Sequence, residues 1–248
     1  MSRRSFWMCL ALALALAPPM AQAQDGVMIG GDSMMWSVPD YGSTVLAQSV
    51  MRSANRGGVA TERRTGGKQA PQAGGNDLRI RYEPAVSRQV EREYLASLSR
   101  QAGPPAAERF GEYFRTHPLH GQFAIAAGPY GLRKDNLADV TAAYFTVMWM
   151  TANDAPLPTK AQVAGVRRQV GALLSAPGAV PADMAQRQRL AESLMYKLVS
   201  MILLREDAQR SGDGKALRDL AVVAARETGK GVDLKALQLS DQGLVPRR

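Results

Sequence analysis

A chain of 248 residues with 46% apolar content is long enough for one domain with a sizeable core and an extension, and a formal charge of +9 favours anionic partners. Its single cysteine, Cys9, excludes an intrachain disulfide. Because Cys9 falls in a segment expected to be removed, cysteine nucleophiles and thiolate metal sites are excluded too, and stability has to come from an ordinary hydrophobic core.

That segment is the first 23 residues. Arg3 and Arg4 precede an apolar run from Phe6 to Ala17, followed by Pro18, Pro19 and Ala21-Gln22-Ala23. A charged start, about a dozen apolar residues and a small-x-small site make a cleavable signal peptide, since a transmembrane helix needs roughly 20 apolar residues. Cleavage is expected after Ala23, which removes Arg3 and Arg4 and leaves a formal charge of +7. The destination is the periplasm or the exterior, with no membrane span after cleavage.

Residues 24–53 form an N-terminal segment with a short helix expected from Ser43 to Arg52. Residues 54–83 read as a disordered, basic, Gly-rich linker, with three Gly-Gly pairs, almost no large apolar residues and no periodicity. Within residues 54–81, Arg56, Arg63, Arg64, Lys68, Arg79 and Arg81 face only Glu62 and Asp77, so four of the seven net positive charges lie here. Such a tether suits weak contact with anionic surfaces. Nucleic acid is not an expected partner in that location.

From Pro84 to Arg248 the apolar residues recur at helical spacing and the breaks fall at Gly and Pro, which predicts a compact single-domain all-α bundle of six or seven helices. The first is expected from Pro84 to Gln101 with a stripe of Val86, Val90, Tyr94, Leu95 and Leu98. The second starts at Pro104-Pro105 and carries Phe110, Tyr113 and Phe114 as far as His117-Pro118. The third, Leu119 to Ala127, is expected to bury Phe123 and Ile125.

The fourth helix is capped by Asp135 or Asn136 and carries Asp139 where the helix dipole favours a negative charge. From Leu137 to Met150 it is apolar nearly all round. At roughly 16 residues it is too short for a bilayer, so it is expected at the centre of the bundle. A fifth helix follows Pro158-Thr159, with Val163, Val166, Val170, Leu173 and Leu174 inward and Arg167 and Arg168 outward. A long sixth runs from Pro181 to Arg210 on a seam of Leu190, Leu194, Leu198 and Met201, and a seventh from Lys215 to Thr228. The tail after Val232 is expected to hold one short turn near Leu234 to Leu237 and then drape over the surface, because no alternating run bounded by hairpin signals supports a sheet.

The Tyr130-Gly131-Leu132 turn, the Asn136-Leu137-Ala138-Asp139 helix start with Ala142, Tyr144 and Trp149, and the Gly-x-Asp-Leu and Gly-Leu-Val-Pro-Arg stretches between Gly231 and Arg247 resemble a family of exported bacterial proteins defined only as a domain of unknown function. The resemblance spans residues 84–248 and implies an exported helical domain, without an activity or a site.

No stretch carries a cofactor signature. His117 and His120 are the only histidines; Pro118 spoils their i, i+3 geometry for a metal and no third ligand is evident. There is no Gly-x-Ser-x-Gly elbow for a serine hydrolase, and Gly212-Asp213-Gly214 lacks the spacing and preceding strand of a phosphate loop. Glu93, Glu112 and Glu192 are formal candidates for the acid of a glycan-cleaving enzyme, each read as a solvated helix-face charge. Asp139, Tyr144 and Trp149 are the candidate ligand-binding set, although their spacing suits a helix cap plus core. The function expected is a non-catalytic interaction module of the cell envelope binding an envelope or secreted protein, without cofactor, metal or catalytic residue. The alternatives are a glycan-cleaving cell-wall hydrolase and a small-molecule or lipid carrier.

Overall fold

A computed structural model describes residues 78–227 and 233–247, all within one compact unit. The expected signal peptide, the 24–53 segment and the linker up to residue 77 lie outside the described residues. The described chain is all-α apart from one small hairpin: α1 Pro84–Ala102, α2 Pro104–Thr116, α3 Leu119–Ala127, α4 Leu137–Ala152, α5 Lys160–Leu174, α6 Met184–Ser211 and α7 Gly214–Glu227.

Most boundaries have a local chemical cause. Pro84 and Pro104 stand in the first turns of α1 and α2, where a missing N–H costs nothing. The Asn136 side chain accepts from the N–H groups of Ala138 and Asp139 at the start of α4. Thr159 and Gln162 form a reciprocal capping box on α5, and Asp183 accepts from Gln186 N at the start of α6.

α4 is the centre. Its buried residues number 14 of 16, and α5, α6 and α7 pack around it. α6, at 28 residues, also carries α1 and α3, with α2 packed on α1. The expected seam on α6 holds, with Leu194, Leu198 and Met201 buried and Leu190 half-buried. Ahead of α1, residues 78–82 run antiparallel to residues 134–137. Leu137 N donates to Leu78 O at 2.8 Å, Ile80 N donates to Asp135 O at 2.9 Å, and Ile80 is buried beneath. In α3, Phe123 is buried as expected, but Ile125 is 39% exposed. The helix has only nine residues and one buried stripe, which Leu119, Phe123 and Ala127 occupy at steps of four.

The C-terminal segment differs from the expected surface tail. After a 3-10 turn at Leu234–Ala236, strands β1 Leu237–Ser240 and β2 Gly243–Pro246 pair antiparallel, with Ser240 opposite Gly243 across Asp241-Gln242. Leu237 and Leu239 are buried while Gln238 is exposed, a two-residue alternation in a strand too short to stand out. The glycine that favours the turn comes after the two loop residues rather than within them: Gly243 has φ +104°.

The hairpin lies on α5 and is bound by side chains. Gln169 exchanges two bonds with Leu244, accepting from its N–H and donating to its carbonyl, both at 3.0 Å. Gln162 Nε2 donates to Leu239 O at 3.2 Å, and Trp149 Nε1 on α4 donates to Leu237 O at 3.0 Å. Gly165 permits the approach, because a Cβ there would lie 2.5 Å from both Asp241 O and Gly243 N. Backbone cannot yield as a flexible side chain can. Gly165→Ala is expected to lift the hairpin from α5 and lower unfolding stability by about 1–3 kcal/mol, checked by urea denaturation followed through tryptophan fluorescence.

Candidate functional site

The three residues expected to line a ligand site are parts of one helix with separate partners. Asp139, 1% exposed, accepts from Arg167 Nε on α5 and from the Arg133 backbone N–H at 2.9 Å. Tyr144 is buried with its ring edge-on to Phe145 at 5.4 Å. Trp149 is half-buried and bonded to β1. Five-residue steps turn successive positions by about 140° on a helix. The bonds of Asp139 and Trp149 accordingly lead to different neighbours, α5 and β1, and they mark the joints of α4.

The residues that do converge come from three other helices. Glu192, read in sequence as a solvated charge, is 1% exposed on α6. Its Oε1 accepts from Ser87 Oγ of α1 at 2.6 Å and from His120 Nε2 of α3 at 2.9 Å, and its Oε2 accepts from Gln188 Nε2 at 3.4 Å. Gln188 also donates to Ser87 Oγ and to Glu83 O, both at 3.0 Å, and accepts from Glu83 N at 2.9 Å. The cluster thus fixes the entry to α1 and gives a buried carboxylate three donors, which offsets its loss of water.

Tyr82 completes it. Its ring lies 4.2 Å from that of His120, its hydroxyl donates to Lys134 O at 2.5 Å, and Lys134 Nζ stands 5.3 Å above the ring. Burial first, then the charges of Glu192 and Asp135, push the Tyr82 phenol well above its ordinary range. His120 keeps 27% of its side chain exposed. His120 donates to Glu192 in the tautomer that carries the proton on Nε2, and Nδ1 has no partner among the described residues. This is a carboxyl–imidazole pair held in one orientation, with one ring nitrogen turned away from the carboxyl. Ser87 is bonded to the carboxylate and not to the imidazole, so the order differs from a serine–histidine–acid relay.

The remaining formal candidates stay at the surface: Glu93 pairs with Arg189 at 3.0 Å, and exposed Glu112 pairs with Arg115. His117 closes α2 through its backbone N–H to Tyr113 O at 2.8 Å and stacks on Tyr113 at 4.4 Å. Among the described residues no group of three or more His, Cys, Asp or Glu could hold a metal, and no helix is long and apolar enough to cross a membrane.

Sequence reasoning passed over Glu206. Both of its carboxylate oxygens are shut off from solvent and accept no hydrogen bond, and burial holds this carboxyl up at about 7 against the opposing pull of Arg210 and Arg205. Its place, four residues after Ile202 and seven after Val199, both buried, was a legible signal.

One family model, described as a family of unknown function (DUF6683), matches residues 1–247. No curated protein and no solved structure matches the chain.

Replacing Glu192 by Ala strands three donors between helices. A loss of about 3 kcal/mol in unfolding free energy is expected, at roughly 1 kcal/mol per stranded donor, measured by chemical denaturation and compared with Glu93→Ala, whose loss stays below about 0.5 kcal/mol.

Proposed function

The chain belongs to that family of unknown function, and from this premise we propose that it is an exported, non-catalytic interaction module of the cell envelope. Its helical domain binds another envelope or secreted protein, and the basic residues 54–81 hold it near anionic surfaces. The observation that carries this reading is the use of the buried acids. Glu192 and Asp139 have their oxygens occupied by donors from neighbouring elements, and Glu206 is closed to solvent. A glycan-cleaving enzyme needs a carboxylic acid free to reach its substrate. Acids committed to joints between helices instead favour a rigid scaffold whose outer faces do the work.

One observation favours the hydrolase as a second reading, the oriented Glu192–His120 pair, whose outer ring nitrogen has no partner among the described residues. It would serve as a general base through Nδ1.

The test separates the two. Residues 24–248 and a version lacking 54–81 are used to capture partners from envelope extract, and the native N-terminus is read by mass spectrometry. A start at Gln24 and the same protein retained by both forms are the expected outcomes. Release of soluble fragments from cell-wall glycan, abolished by His120→Ala, would overturn the module in favour of the hydrolase.

A further inference from the structure

α1 and α6 run side by side in the same direction, and their polar contacts keep a nearly constant offset in sequence. Glu83 meets Gln188 and Ser87 meets Glu192 across 105 residues, and Tyr94 Oη meets Ser200 Oγ at 2.6 Å across 106. Ser87 and Tyr94 are two heptad-spaced rungs. The next such position is Gln101, and the same offset leads to Glu206.

At this third rung the bonding stops. Gln101 Oε1 and both carboxylate oxygens of Glu206 are buried without a hydrogen-bond partner. The amide nitrogen of Gln101 is held by Ser97 Oγ at 2.8 Å, so the group it offers is its carbonyl oxygen. The register of the two rungs before it sets these acceptors at the same level of the seam; two acceptors cannot bond each other, whereas a single proton on the carboxyl would satisfy both sides. We propose that Glu206 is a proton-operated latch: as the neutral acid it donates to the Gln101 carbonyl and closes the C-terminal end of the α1–α6 seam, and loss of the proton opens that end.

The surroundings agree. Arg205 and Arg210, on the same helix, are the cations that act on Glu206. Arg205 is engaged by Ala155 O at 2.9 Å and Asp154 at 3.4 Å, and Arg210 by Asp207 at 3.3 Å. From α2 the facing group is Tyr113. Burial, then the charge of Glu206, push its phenol up to about 12, while its hydroxyl is committed to Gln122 at 2.8 Å and its ring to His117. The last turn of α1 carries Arg100 beside Gln101, but the charges that act on Glu206 are those of Arg210 and Arg205. The latch lies next to the Ala102–Pro104 elbow between α1 and α2, so its release frees the end of α1 where the chain turns.

The sign follows from linkage. The folded carboxyl keeps its proton up to about 7, against 4.5 for an ordinary glutamate, so the latch contributes fully below the unfolded value and is lost as pH rises to about 7. In the full chain, a carboxyl carbon NMR titration of Glu206 is expected to show a midpoint near 7. A midpoint in the ordinary glutamate range would overturn the latch. Wild type is expected to melt lower at pH 8 than at pH 5 by roughly 5 °C more than Glu206→Gln does, since the amide donates at either pH; equal pH dependence in the two proteins would sink the proposal. Gln101→Met is expected to lower the melting temperature at pH 5 and leave it unchanged at pH 8, and equal losses at both values would remove Gln101 from the latch.

Discussion

The fold depends on a helix with no face to give to water. From Leu137 to Ala152, α4 presents apolar or small residues in every direction, so it is stable only when enclosed, and α5, α6, α7 and the C-terminal hairpin meet that requirement. The enclosure leaves few polar groups on α4, and the most exacting of them sits at its end. Asp139 is buried at the N-terminal turn, where the helix dipole favours its charge and Arg167 neutralises it. One carboxylate therefore sets the register between the central helix and its neighbour.

The second half of the molecule is organised by α6, whose other side carries a polar seam toward α1. Ser87–Glu192 and Tyr94–Ser200 are satisfied pairs, and such pairs discriminate between registers more than they stabilise, because a slip of one residue strands each group without a partner. Leaving one rung dependent on a proton makes that end of the seam softer than the rest. The gradient runs from the fixed entry of α1 at Glu83 and Gln188 toward its exit at Ala102.

Helix periodicity and Pro and Gly punctuation were enough to place the seven α-helices of the described residues in the sequence and to find α4 at the centre, because both signals are local. The hairpin was not legible. Its strands have four residues each, and what holds them, Gln162, Gln169 and Trp149, is supplied by helices far off in sequence. The Glu192 cluster was hidden for a related reason. An acid on a long amphipathic helix is normally solvated, and only the arrival of Ser87 and His120 from two other helices reverses that. Ile125 misled in the opposite sense, since a nine-residue helix buries one stripe whatever apolar residues lie beside it.

A two-stranded sheet has two open edges, and an open edge is a template for another strand. Here several of the outward backbone groups are already occupied. Leu244 is paired with Gln169 as if with a third strand, Leu239 O is taken by Gln162, Leu237 O by Trp149 and Arg247, and Pro246 has no N–H to offer. Side chains thus do for this hairpin what further strands do in a larger sheet. Those groups are closed to strand addition, whether by a second copy on the way to a fibril or by an extended peptide.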